Sequence, residues 1–152
     1  MAKYGMSMCV LGMHEEFRPY GIAVNALWPL TGVLDSQCSF IFAAIWTSAM
    51  EMLSDGSGAS GSRKADIMVD AAYAILSKNS REYTGNFAID EDLLRAEGVT
   101  DFKKYAIDPD SPLTADFFIP NIENYPETFP LGSPKVLPIP ILNCFAFKFR
   151  VF

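Results

Sequence analysis

Basic side chains gather nowhere in this chain: 12 Lys and Arg stand against 18 Asp and Glu, for a net charge of -6. Without a cationic stripe to displace phosphate counterions, no nucleic-acid partner is expected. Histidine is all but missing. His14 stands alone beside Glu15 and Glu16, so a metal site would rest on solvated carboxylates and none is expected. No Ser-His-Asp spacing and no Gly-x-Ser-x-Gly elbow occurs, which removes the common serine hydrolases. Glu15, Glu16 and Glu51 read as surface charges and not as a glycosidase pair. Cys9, Cys38 and Cys144 lack any Cys-x-x-Cys spacing, so neither a disulfide framework nor a zinc site follows, and a reducing, intracellular compartment fits. No basic segment leads into an apolar core and a small-residue cleavage site, so no secretory or other targeting signal is read. The longest nearly uncharged runs, 22–50 and 136–147, are broken by Asp35 and by Pro138 and Pro140, and no membrane span is expected.

What is present is apolar and ordered toward the front. Half of the 152 residues are hydrophobic, enough for one buried core and too few for two ordinary domains. Met6, Cys9, Val10, Met13 and Phe17 recur at three-and-four spacing and predict a helix over 4–17, with that face packed against another layer. Arg18-Pro19-Tyr20-Gly21 stops it, because Pro disfavours helix in the residue before it and Gly permits a reversal. Ile22 to Trp28 follows as a short, almost wholly apolar run, the composition of a parallel strand covered on both faces. Ser54 to Ser62 is Gly/Ser-rich and reads as a mobile linker or a substrate lid, with no helix-opening phosphate fingerprint. From Lys64 to Ser77 the pairs Ile67/Met68, Ala71/Ala72 and Ile75/Leu76 predict a second helix, with Asp66 and Asp70 on other faces. Tyr83 to Asp90 reads as a short strand entered through Gly85, and Asp90 to Glu97 as a helical turn. Eight of the ten prolines lie from Pro109 onward, so irregular chain is expected there. Near the end, Phe145, Phe147, Phe149 and Val151 alternate with Ala146, Lys148 and Arg150, the pattern of an edge strand or an aggregation-prone segment.

Several of these residues resemble landmarks of the short-chain dehydrogenase/reductase family. Lys3 near a helix start and Asn25 to Pro29 at a strand end resemble its Tyr-x-x-x-Lys and Asn-x-x-x-Pro motifs, which puts the tyrosine two positions ahead of Met1. Joining Thr31 to Ala44 gives Ala-Leu-Trp-Pro-Leu-Thr-Ala-Ile-Trp-Thr-Ser-Ala-Met-Glu-Met-Leu, which is similar to a hydroxysteroid dehydrogenase-like branch. The resemblance continues through Arg63 to Ile67, Asp70 to Tyr73, Tyr83 to Phe87 and Tyr105 to Ile107, ending near Asp116-Phe117-Phe118. It implies an α/β fold, the carboxy-terminal half of a Rossmann-type doubly wound parallel sheet. That sheet is incomplete and is followed by a Pro-rich irregular tail. The domain reading is a partial dehydrogenase domain over 1–119, with an insert at 32–43, and a tail over 120–152 that resembles no domain.

The same resemblance implies the chemistry. Lys3 stands for the lysine that lowers the pKa of the catalytic tyrosine and holds the nicotinamide ribose; by composition alone a lysine near a helix start is a solvated charge. Pro29, Thr31, Ile45 and Thr47 stand for residues beside the nicotinamide, although Leu30 replaces the usual Gly. NAD or NADP is the family cofactor, and none is expected to bind these residues alone. The glycine-rich turn, the serine and the tyrosine are not among them. The expectation is an oxidoreductase fragment, inactive alone, for a lipid-type carbonyl or alcohol. The alternative is a non-catalytic interaction module or a gene-model artefact. In the family the helix over 4–17 and the strand over 85–89 make subunit contacts, so a homo-oligomer or docking on a full-length homologue is expected. Relatives suggest the peroxisome or mitochondrion, although Arg150-Val151-Phe152 is not a peroxisomal ending.

Gly32 to Ala43 interrupts the resemblance. It reads either as intron or gene-model sequence carried into the frame, or as a loop insertion, which a surface tolerates at small entropic cost. Transcript sequencing across codons 31 to 44 separates the two. Reads lacking the segment are expected, and abundant reads that carry it make it a true insertion.

Overall fold

The structure, a computed structural model, describes residues 2–34, 41–43, 45–48, 51–52, 59–116 and 124–129, with side chains from residue 5 onward and outside 32–43. In chain order these form α1 (Ala2–Phe17), a 3-10 turn (Arg18–Tyr20), β1 (Ala26–Trp28), β2 (Gly32–Leu34) and β3 (Ile41–Ala43). There follow α2 (Asp66–Leu76), β4 (Phe87–Ile89), α3 (Asp90–Ala96) and a second 3-10 turn (Lys103–Tyr105). β1 and β4 run parallel, with Ala26 opposite Phe87, Leu27 opposite Ala88 and Trp28 opposite Ile89. This is the pairing the two apolar runs imply, and it gives an α/β fold with a small, incomplete parallel sheet. β2 and β3 pair antiparallel, Gly32 opposite Ala43, so the inserted segment folds back on its own base. Val33 faces Phe42 and Leu34 faces Ile41 in that register. The alternating residues 145–151 lie outside the described residues, as do Cys38, Cys144 and most of the Gly/Ser-rich stretch.

α2 buries the face its spacing predicts. Ile67 and Ala71 are fully buried, while Asp66 and Asp70 face solvent. With Leu93, Leu94, Phe102 and Tyr105 they form the main core, against which Leu27 and Ile45 of the sheet side also pack. Each fully buried Leu or Ile contributes about 1.5–3 kcal/mol of transfer free energy. A second cluster joins Leu30, Ala115, Tyr125 and Phe129 with Trp28, Ile89 and Leu113. Of the Pro-rich region only 109–116 and 124–129 are among the described residues, and 124–129 pack closely onto α3. Tyr125 donates to Asp92 Oδ2 at 2.7 Å and Thr128 donates to Glu91 Oε1 at 2.5 Å.

α1 differs from expectation in the side it turns inward. Of the apolar set Met6, Cys9, Val10, Met13 and Phe17, only Val10 is buried, and Met6 is 63% exposed. Contact is made instead through Ser7, Val10, His14 and Phe17, because the approach to the sheet is fixed by small and polar groups. The Trp28 indole Nε1 donates to Ser7 Oγ at 3.2 Å, and the His14 ring lies on the backbone of Gly85. Gly21 ends the segment in the left-handed region (φ 69°), and its N–H donates to Arg18 O at 3.0 Å. Gly85 also has positive φ (78°), and a Cβ there would meet His14 Nδ1 at 2.8 Å.

A buried ion pair joins the layers. Arg63 is 1% exposed and Glu91 0%, with Nη2 to Oε2 at 2.5 Å. Arg95 donates to the other oxygen, Glu91 Oε1, from Nη2 at 2.8 Å and from Nε at 3.1 Å. The Arg63 and Arg95 guanidinium carbons lie 5.8 and 4.7 Å from the Phe102 ring centroid, so the ring meets two cations. The Arg63 backbone is equally engaged: it bridges Ile45 in parallel and Ala106 antiparallel, and Trp46 N–H donates to its carbonyl at 2.9 Å.

Two pairs of substitutions test these supports. Gly85→Ala adds a left-handed strain and a clash with His14 and should cost about 2 kcal/mol or more in urea unfolding. Gly12→Ala, on open helix surface, should stabilise by about 0.5–1 kcal/mol. Arg63→Ala leaves Glu91 buried without its main partner and should cost about 3–5 kcal/mol. The adjacent, exposed Lys64→Ala should change stability by no more than about 0.5 kcal/mol. Equal effects for each pair would contradict these assignments.

Candidate functional site

β1 ends at Trp28, and the turn Pro29–Thr31 leaves from its carboxyl end, the side of a parallel sheet where such folds bind ligands. The register that aims this turn is set by Asn25. Its Nδ2 donates to Tyr83 O, and its Oδ1 accepts from Asn86 N and Asn86 Nδ2, each at 3.0 Å. Val24 N–H adds a 3.0 Å bond to Thr84 Oγ1. An asparagine amide carries both a donor and an acceptor, so one side chain does what a pair of backbone groups does in a ladder. The family landmark Asn25 is therefore a register pin between the two strands.

The turn itself is held on both sides. Leu30 N–H donates to Asp90 Oδ1 at 3.0 Å, and Asp116 N–H donates to Leu30 O at 2.9 Å. Thr31 forms an antiparallel bridge to Ala115. Leu30, standing where the family has Gly, is fully buried in the second core cluster.

Asp90 opens α3 and is completely buried. Its Oδ1 accepts both Leu30 N–H and its neighbour Glu91 N–H, the latter at 2.7 Å, while Oδ2 has no hydrogen-bond partner among the described residues. Burial pushes its carboxyl up to about 6, against the opposing pull of the Arg63 charge and the two amides. Glu91 is also desolvated. There the Arg63 charge and hydrogen bonds from Thr128, Arg63 and Arg95 outweigh burial, and its carboxyl lies below the usual range. Two adjacent carboxyls thus differ because one has a full set of donors and the other has half a set. Burial first, and then the bond to Asp92, raises the Tyr125 phenol.

The residues expected at the site fall as follows. Lys3 lies in the first turn of α1, and its side chain is outside the described residues; Ser7, one turn on, contacts the end of β1. Pro29 is half-buried and Thr31 fully buried. Ile45 is half-buried, bridges Arg63 and packs on the main core. Thr47 is exposed and accepts Glu51 N–H at 3.0 Å, at a helix start. Because Gly32 pairs with Ala43, the chain leaving Thr31 returns close to it before Ile45. A shallow groove of about 360 Å³ lies elsewhere, between α2 and α3. It is crossed by its own bonds, Lys78 to Glu97 and Tyr105 to Asp70, and shares no residue with this set.

Sequence reasoning missed Arg63, Asp90 and Glu91 as buried groups. For the two carboxyls the one signal was a triple acidic start to a helix, Asp90-Glu91-Asp92, which by itself reads as favourable charge at a helix N-terminus. Among the described residues no cluster of metal-ligating side chains occurs, and no helix is long and apolar enough to cross a membrane. The Pro29–Thr31 turn leaves the sheet on the side where parallel sheets of this kind bind ligands. Among the described residues no glycine-rich turn leads from a strand into a helix, the arrangement that seats a pyrophosphate.

No family model matches the chain. Hydroxysteroid dehydrogenase-like protein 2 of Danio rerio is 53% identical over 119 residues, covering 78% of this chain and 25% of that protein. The same-named protein of Rattus norvegicus is 48% identical over 140 residues, or 92% and 24%. The chain thus spans about a quarter of the length of the curated relatives it matches. A crystal structure of a short chain dehydrogenase from Mycobacterium thermoresistibile shares 40% identity at a TM-score of 0.64, over 89% of this chain and 42% of that one. That of a proposed dehydrogenase from Xanthomonas campestris shares 40% at 0.63, over 76% and 38%. With about half of the aligned residues in common with proteins of one name, and a short chain dehydrogenase among its structural neighbours, the chain belongs to the short-chain dehydrogenase/reductase family, over the part that matches hydroxysteroid dehydrogenase-like protein 2.

Proposed function

We propose that these residues are the nicotinamide-side, carboxy-terminal part of an NAD- or NADP-dependent oxidoreductase domain for a lipid-type carbonyl or alcohol. The observation that supports this reading most is the turn Pro29–Thr31, leaving β1 beside a parallel β4 and anchored at both backbone groups of Leu30. The cofactor, when bound, gives or takes the hydride. Pro29 and Thr31 would shape the wall at its ring, Ile45 would add apolar surface, and Thr47 would offer a hydroxyl at the rim. Lys3 would lie at the amino end of α1, where an ammonium lowers the pKa of a neighbouring phenol and holds a ribose.

Taken alone, the 152 residues would not turn over. A missing general acid costs about 10²- to 10⁴-fold, and without the glycine turn the pyrophosphate has no seat. A peroxisomal or mitochondrial setting belongs to the same reading. A second reading, a docking module, is favoured by the apolar side of α1. Met6, Met8, Leu11 and Met13 are 37–63% exposed, and β4 has no partner but β1 among the described residues. A full-length homologue is the partner this reading expects.

Titrating the purified chain with NADH and NADPH, and co-expressing it with a full-length homologue, tests both readings. No saturable nucleotide binding and no turnover are expected. Turnover by the chain alone would refute the statement of inactivity, and co-purification at fixed stoichiometry would establish docking.

A further inference from the structure

We propose that Asp90 is the positioning residue of the Pro29–Thr31 turn, holding it through the Leu30 amide when ionised and loosening it when protonated. The inference deepens the reading in which this turn borders the nicotinamide ring, and it rests on that reading for its functional meaning. Its structural part stands on the geometry of a single oxygen. Asp90 Oδ1 accepts two amides, Leu30 N–H at 3.0 Å and Glu91 N–H at 2.7 Å, while Oδ2 is buried with no partner among the described residues. A proton arriving at this carboxyl therefore goes to Oδ2, and Oδ1 remains an acceptor with its charge removed. The Leu30 bond then weakens without breaking, since a charged acceptor is roughly twice as strong as a neutral one.

Among the described residues the charged and titratable surroundings are few. Arg63 faces Asp90 from the segment before α2, Glu91 from its own helix and Tyr125 from the segment packed on α3. The turn itself brings no ionisable side chain. Arg63 is already engaged by Glu91, so its charge is shared, and burial dominates: the Asp90 carboxyl stands at about 6.

The sign of the effect separates positioning from general support. Because the folded state holds the Asp90 proton more tightly than the unfolded chain, the contribution of Asp90 to stability rises as pH falls through 6 and is lost as pH rises through it. The Leu30 anchor moves the opposite way and weakens in the same window. Glu91, lowered by its partners, loses stability only at a lower pH and does not overlap. A structural residue alone would move both quantities together. In an intact cofactor site, the wall at the ring would thus be firmer above pH 6 than below it.

Amide hydrogen exchange by NMR on the 152-residue chain tests this without any nucleotide, so its outcome is independent of whether the nicotinamide reading holds. In the wild-type chain the Leu30 protection factor, corrected for intrinsic exchange, should fall about five- to tenfold from pH 7.5 to pH 5, while the urea midpoint holds or rises. Asp90→Asn keeps a neutral oxygen in place and should show the low value at both pH values. Asp92→Asn, on the exposed side of the same helical turn, should keep the wild-type response. A Leu30 protection factor that ignores pH in the wild-type chain, one that still responds in Asp90→Asn, or one whose response Asp92→Asn abolishes would overturn the proposal. If Asp90→Asn does not fold, the wild-type and Asp92→Asn responses decide it.

Discussion

The structure hangs on a charge taken out of water. Arg63 and Glu91 are both buried, and neither is tolerable there without the other, because an isolated ion in a low-dielectric interior costs several kcal/mol. Once paired, they fix three stretches of chain at one point: the segment before α2, the start of α3, and residues 124–129 through Thr128. Arg95 closes the remaining lone pairs of Glu91 and reaches out to Glu127. An apolar pair of similar volume would pack as well but would accept many neighbours. A carboxylate with four donors accepts one arrangement.

The elements that depend on apolar spacing were legible from the sequence. The four-residue repeat of Ile67, Ala71 and Ile75 gave α2, and the two short apolar runs around Leu27 and Ala88 gave the paired strands. What the sequence did not disclose is what became of residues that look solvated. Arg63, Asp90 and Glu91 read as surface because charged side chains nearly always are, and only a tertiary partner sixty or fewer positions away reverses that. The inward side of α1 was misjudged for a related reason. Hydrophobic spacing counts Met6 and Met13 as core, whereas the sheet accepts Ser7 and His14, which fit its polar and glycine surfaces. The site was legible as a stretch, Asn25 to Thr31, and not as a mechanism of support, because Asp90 reaches Leu30 across the fold.

The hairpin of β2 and β3 leaves the neighbouring pairings of the sheet in place. Gly32 and Ala43 are partners, so the excursion starts and ends at nearly the same place. Thr31 keeps its bridge to Ala115 and Ile45 its bridge to Arg63, one on each side of the excursion.

The bonds of Asn25 bear on how this chain leaves the ribosome. Its partners Tyr83 and Asn86 lie 58 and 61 positions downstream, so β1 emerges long before anything exists to fix its alignment. At about 5–20 residues per second, that interval lasts several seconds. During it, the indole of this strand can already reach Ser7 of the preceding helix. α1 thus shelters one edge of the strand before the partners that fix its register exist.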